Sequence, residues 1–519
     1  MLETLSVLPP SFWMATVLVL AGIFWSFGQI KTATGLPMLA VLGTVATWYM
    51  GDALYNDYAN YHAKTFTPAT LAAAWWQVAW FLTAFLVLTP VTHRLVNRRY
   101  LGQGGQVYRM LGTGAGQPSF QLLLNQLFWG CGAVWLALMF VALVRLRGEF
   151  PYFFFPYLSH GADPWSRGRV GAGFDSLLSF AAYLEMFVAM VFGLAAALAQ
   201  NRQVRALALA GCCLAWPYFI FSGVRNAQLA VVVPAILSWV FIRLRTGWLA
   251  KVGVLSAFFA VIYVWFAFII ANRSQTSITD AIHGEGTSLK EAGSEAHHEG
   301  LNMYEELCWI NTFIKDGTYE PNWGEEYFAE IVNPIPRALW PGKPMIGIDY
   351  SVARGQSWDQ ADANAAGVAA TISTGMIGQG VVNFGRIPGP VFAGLLMSLW
   401  VAVLARLDLT GQKVGRIPLY ALGLILTFNM GRDITLIILY TFLFGLAIVW
   451  WLQRSSNRPA RRARDRRRTT EGGEQENKPQ TINSSQKELM DSRHPGFDWW
   501  QKPQTTTEPL PASKPADDR

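Results

Sequence analysis

Charged residues are scarce in this chain. Asp, Glu, Lys and Arg make up 14% of the 519 residues and hydrophobic residues 52%, whereas a soluble domain carries about 25% charged side chains. So little charge cannot clothe a soluble surface, which excludes an ordinary soluble enzyme or binding domain. Cysteine is scarce as well: Cys131, Cys212 and Cys213 lie in apolar stretches and Cys308 stands alone in a long polar segment, so no loop disulfide is available. There is no Walker-type phosphate loop, no heptad array and no repeat of fixed period; the missing repeat weighs against transporters built from two similar halves. The opening MLETLSVLPPSFW has no basic stretch ahead of its first apolar run. A cleaved signal peptide is therefore not expected, and that run is expected to remain as a helix.

What the chain has instead is run after run of about 20 apolar residues, the length that crosses a ~30 Å hydrocarbon core. These runs place helices at about 11–30, 35–55, 71–92, 121–146, 174–199, 206–223, 226–243, 249–271, 387–405, 417–430 and 434–453. The expected fold is an all-α polytopic integral membrane protein of about 11 transmembrane helices with one large extracytoplasmic loop. Positive residues are retained on the cytoplasmic side. Arg94, Arg98, Arg99 and Arg109 mark one such connection, Arg202 and Arg205 a second, Arg243, Arg245 and Lys251 a third, and Arg406, Lys413 and Arg416 a fourth. The division that follows is a helical region over 1–271, an outer loop over 272–386, three further spans over 387–453 and a basic cytoplasmic tail over 454–519. That tail holds 14 Lys and Arg against 10 Asp and Glu, so it supplies +4 of the net +7 and leaves no basic surface that calls for nucleic acid. Its Arg, Gln, Thr, Pro and Asp cannot fill a core, so it is read as disordered beyond a stop-transfer anchor, with anionic lipid a second contact for its arginines.

Ionisable groups are costly near a membrane, so the few at outer helix ends are the first functional candidates. Arg225 sits in the tight turn FSGVRNAQ, Arg432 in the equally short NMGRDI with Asp433 beside it, Arg273 just beyond the helix 249–271, and Arg337 in NPIPRALWPGKP. A single interfacial arginine often only anchors a helix. Four on one side and at one depth suit a phosphate or diphosphate, because the planar guanidinium pairs two oxygens at once and stays charged.

The outer loop opens with Glu and His between Thr287 and Glu306. His283, His297, His298 and Glu299 lack the spacing of a recognised zinc motif, so no metal or other cofactor is expected, and the stretch reads equally as a solvated helix face. A carboxylate or imidazole there is also a candidate general base. The later loop, WGEEYFAEIVNPIPRALWPGKP and then Trp358, is aromatic and proline-punctuated, which suits either a sugar-binding surface or an interfacial aromatic belt. Glu185 is a lone carboxylate within the fifth span, suited to a hydrogen bond with a neighbouring helix or to catalysis.

At NPIPRALWPGKP the chain resembles bacterial O-antigen polymerases, the oligosaccharide repeat unit polymerases of the Wzy class. The resemblance rests on Pro336, Arg337, Trp340, Pro341, Lys343 and Pro344, on GQGVVNFG from Gly378 to Gly385, and on the outer Arg225 and the pair Arg432 and Asp433. It covers residues 215–440 well and the first 200 by hydropathy only. Gln379 stands where the family pattern has an acidic residue before Asn-Phe-Gly, so no carboxylate role carries over there. The resemblance implies an enzyme of the inner membrane that transfers a growing glycan from undecaprenyl diphosphate to a lipid-linked repeat unit on the outer face. It also implies a flippase and a chain-length regulator as partners. Under it Arg225, Arg337 and Arg432 stabilise the leaving diphosphate and Asp433 or a loop residue acts as base. Arg273, Trp340, Lys343 and Asn383 are expected to bind substrate. The alternatives are an O-antigen ligase, which shares the donor, a non-enzymatic transporter of lipid-linked oligosaccharide, and a membrane sensor.

Overall fold

The computed structural model describes residues 7–113, 118–158, 162–165, 175–221, 224–271, 302–336, 338–344, 348–354, 372–434 and 439–454. The chain divides into units Met1–Ser456 and Asn457–Arg519, and the second lies wholly outside the described residues. So do Arg273, Arg337, the histidines at 283, 297 and 298 with Glu299, and Trp358.

The described residues form helices and no strands. In chain order the principal ones are α1 Pro10–Gly28, α2 Gly35–Val45, α3 Pro68–Asn97, α4 Pro118–Leu146, α5 Asp175–Leu198, α6 Arg202–Phe221, α7 Arg225–Ser238 and α8 Trp248–Ala271. They continue with α9 Met303–Lys315, α10 Glu325–Val332, α11 Met376–Phe384, α12 Pro388–Leu409, α13 Arg416–Asn429 and α14 over 439–454. Eight of them, α1, α3 to α8 and α12, are long and apolar enough to cross a membrane. The other three expected spans are shorter: α2 passes into a π-helical turn, Ala46–Gly51, before Asp52–Tyr55, α13 has 14 residues, and α14 covers 439–454. Proline opens α1, α3 and α12, where its missing N–H has no helical partner to lose. The Thr67 hydroxyl caps α3 by accepting from the Thr70 N–H at 3.3 Å.

Helix directions follow from side chains that reach across. Thr92 donates to the Ser398 carbonyl at 3.0 Å, Asn97 to Ala402 at 2.9 Å and Arg406 to Val96 at 3.0 Å, so α3 and α12 run parallel. Gly394 lets the two backbones meet, since a Cβ there would strike the Phe81 carbonyl at 2.8 Å. The Trp48 indole donates to the Phe428 carbonyl at 2.9 Å and aligns the end of α2 with the end of α13. Gln121 at the start of α4 donates to Leu198 at the end of α5, at 3.0 Å, so that pair is antiparallel.

All of these directions agree with a chain that alternates between two ends. One end gathers the basic connections, with Arg406 against α3 and Arg416 beside Arg406. The opposite end carries α9, α10, α11, the turn at 430–434 and the start of α7. Two apolar cores lie between. Trp75, Tyr304, Leu307, Ile377 and Met397 belong to the core that joins α1 to α3 with α9, α11 and α12, and Phe187, Phe192, Leu419 and Leu426 to the core that joins α4 to α7 with α13 and α14.

Candidate functional site

The turn Gly431–Arg432–Asp433 is built for close approach. A Cβ at Gly431 would collide with the Trp48 indole, and the Gly431 carbonyl accepts from the Met376 N–H at 3.2 Å, which seats α11 on the turn. Asp433 then lies under the entry to α11, where its Oδ1 accepts from the Thr374 backbone N–H at 3.0 Å and the Thr374 hydroxyl at 3.2 Å. Burial pushes the Asp433 carboxyl up to about 6, opposed by donors at Ser373 and Thr374 and by the charge of Arg432. A carboxylate tuned to that range is ionised at neutral pH and still basic enough to take a proton from a hydroxyl as it reacts.

The elements that carry Arg225 and Arg432 are tied to each other. Asn429, three residues before Arg432, donates to the carbonyl of Asn226, next to Arg225, at 3.3 Å, and so ties the end of α13 to the start of α7. Both arginines are half-buried. Arg337 and Arg273 lie outside the described residues. The loop around position 337 is nonetheless framed on both sides: the Pro336 carbonyl accepts from Leu339 and Trp340, and the buried Lys343 ammonium donates to the carbonyls of Asn333 at 2.6 Å and Ile335 at 2.8 Å. Lys343 therefore braces this loop. Trp340 packs edge-on against Phe328 with ring centroids 6.3 Å apart and stays partly exposed.

Asn383 is fully buried and directed inward. Its amide donates to Glu326 at 3.1 Å, and one turn earlier Gln379 donates to Glu330 at 2.9 Å while its carbonyl oxygen accepts from the Ile434 N–H at 2.8 Å. Two i, i+4 pairs thus interlock: α10 offers Glu326 and Glu330, and α11 answers with Asn383 and Gln379. The amide at 379 does what an ionised acid at that position could not, because it donates to a carboxylate and accepts from the N–H that follows the Arg432–Asp433 turn at once. Burial, with the nearby charges of Asp433 and Glu330, raises the Glu326 carboxyl well above the ordinary carboxylate range. The site therefore holds two inequivalent carboxyls, both raised by burial, Glu326 well above the ordinary range and Asp433 to about 6.

The polarity of α10 is inverted relative to a soluble surface helix. Its carboxyls at 326 and 330 face inward, while Phe328 and Ile331 face out, the latter 64% exposed. Trp323 before it and Leu339 after it are 80% and 68% exposed. An exposed apolar face outside the spanning helices, backed by buried polar groups, is the pattern of a helix lying in a lipid interface.

The expectation of a solvated acidic face is corrected at Glu305 and Glu306, both of which are buried in α9. Tyr61 donates to Glu305 at 2.8 Å; Tyr350 donates to Glu306 at 2.6 Å and Arg354 pairs with it at 3.0 Å. The guanidinium of Arg354 also covers the Trp309 ring at 4.7 Å. Asp52 escaped attention in the sequence. It is fully buried, and its Oδ2 accepts from the N–H groups of Tyr304 at 2.8 Å and Glu305 at 3.0 Å, capping α9 from far away in the chain. Glu185 accepts from the Trp165 indole at 2.7 Å and lies away from this end network, within α5. Among the described residues no group of three or more His, Cys, Asp or Glu is placed to hold a metal. No family model, no curated protein and no solved structure matches the chain.

Proposed function

We propose that the chain is a lipid-linked glycosyl transferase, a polymerase of undecaprenyl-diphosphate-linked oligosaccharide repeat units in the bacterial inner membrane. In this reading it has eleven spans, its α9–α11 end faces outward, its basic connections and tail lie in the cytoplasm, and α2, α13 and α14 complete the bundle. The observation that carries the proposal is the raised carboxyl of Asp433 beside the charge of Arg432, in a turn that Asn429 ties to the start of α7, where Arg225 lies, at the end where α10 turns its apolar face outward. A donor with a polyprenyl tail and a diphosphate head needs that combination of lipid access, guanidinium and base.

In the reaction the acceptor hydroxyl attacks the anomeric carbon of the donor glycan. The new glycosidic C–O bond forms as the bond to the diphosphate breaks, and the diphosphate leaves with the electron pair. Arg225 and Arg432 stabilise the charge that develops on the leaving group, and the resemblance adds Arg337 to them. Asp433 takes the hydroxyl proton. Glu326 and Glu330, held by Asn383 and Gln379, position α10 and the turn. Within enzymes the rival is a ligase that passes the same donor to a different acceptor.

The raised Asp433 carboxyl sets a pH dependence. A base must be deprotonated to act, so elongation is expected to be constant above about pH 7 and to fall tenfold per unit once the pH drops below about 6, the value to which this carboxyl is pushed. Chain elongation in proteoliposomes, followed from pH 5 to 8.5, tests the assignment. A rate unchanged down to pH 5 removes Asp433 as the base.

A further inference from the structure

We infer that the basic end of the bundle holds a dedicated site for one acyl chain of an anionic phospholipid, its phosphate seated near Arg416 and Lys413. A chamber of about 290 Å³ lies between α5, α7 and α13, walled by side chains such as Leu194, Leu198, Leu237, Phe241, Leu424 and Ile425. Helical cores are packed to crystal density and tolerate few voids much larger than a water molecule. An apolar chamber of this size gains nothing from water, which finds no polar partners there, and binds hydrocarbon instead. The wall departs from regular helix where the chamber lies: α7 carries Pro234 inside it and ends in the π-helical turn Trp239–Arg243. Such turns cost helical regularity and recur at binding sites.

The chamber has a charged exit. A narrow cleft shares its walls at Phe120, Leu124, Ile417 and Pro418 and reaches Lys413. Arg416, beside that cleft, donates to Gln453 at 3.4 Å, but its buried Nε has no hydrogen-bond partner among the described residues. Arg406 lies close enough for the two guanidiniums to repel. A buried orphan donor beside a like charge, one residue from the wall of an apolar chamber, fits an anionic headgroup above a hydrocarbon chain. Anionic lipid is abundant in the cytoplasmic leaflet, where the basic connections of a membrane protein lie. The polymerase reading is not used in this argument, so either can fail alone.

Full-length protein, stripped of lipid in mild detergent, is titrated with dioleoyl phosphatidylglycerol and read by native mass spectrometry and thermal unfolding. One lipid is expected to bind and raise the unfolding temperature. Dioleoyl phosphatidylcholine is expected to bind about thirtyfold more weakly, the step set by two cations at a membrane surface at about fivefold each. Leu424→Trp, which fills the chamber, and Ala421→Leu, a milder filling that keeps the test open if the first variant does not fold, are both expected to weaken phosphatidylglycerol binding. Arg416→Gln is expected to narrow the gap between the two lipids. Equal affinity for both lipids, unchanged binding by the filled variants, displacement by millimolar inorganic phosphate, or a preference for undecaprenyl phosphate each overturns the assignment.

Discussion

Asp433→Asn is expected to reduce chain elongation by about 10²- to 10⁴-fold, the range a positioned general base contributes, while leaving the folded protein in place. Asparagine keeps an oxygen at the position where Oδ1 accepts from the backbone and hydroxyl of Thr374, so the entry to α11 stays anchored. It cannot take a proton. The variant separates chemistry from architecture for that reason, and its residual rate is expected to lose the fall below about pH 6 that the raised carboxyl imposes on the parent. Elongation assayed in proteoliposomes, with thermal unfolding measured on the same preparation, checks both halves. A variant within threefold of the parent would return Asp433 to a purely structural role.

Asp52→Ala is expected to destabilise the fold strongly at the end of the bundle that carries α9. The side chain is fully buried and accepts from two backbone N–H groups in the first turn of α9, whose own Asn302 supplies no cap. Losing a cap costs about 1–2 kcal/mol and each buried donor left orphaned about 1–3 kcal/mol, so a loss of roughly 3 kcal/mol is expected. Thermal unfolding in detergent reads it directly. Asp52→Asn retains one acceptor oxygen and is expected to recover much of the difference. Because α9 packs beneath α11, elongation is expected to fall with the folded fraction and to keep its pH profile, unlike the result at Asp433.

The two sites also show what a linear reading can reach. The eight long helices were legible to within a few residues, because a span announces itself by an uninterrupted apolar run bounded by proline or charge. The basic connections were legible for the same local reason. Arg225, Arg432 and Asp433 stood out as charges in very short turns, and the structure brings the two elements that carry the arginines together. What escaped was the pairing of polar groups whose partners lie far along the chain. Asp52 caps a helix that begins at Met303, Gln77 exchanges two amide bonds with Asn311, and Glu306 is satisfied by Tyr350 and Arg354. Glu305 and Glu306 therefore read as solvent-facing when they are buried. Gln379 was noticed only as a missing acid. Its bonds to Glu330 and to the Ile434 N–H show a bridge between α10 and the turn at 430–434, made with both ends of the amide.

The central claim is that this chain lengthens glycans on a lipid carrier at the end of the bundle that carries Arg225, Arg432 and Asp433. Its most direct test is the size profile of surface polysaccharide in a strain lacking the gene, complemented with the parent or with Arg432→Ala, and with the lipid-linked pool analysed alongside. Collapse to single repeat units in the null strain, restored to long polymer by the parent and not by Arg432→Ala, is the predicted result. Long chains stranded on the lipid carrier would contradict it in favour of a ligase, and an unchanged profile would contradict a role in polymerisation altogether.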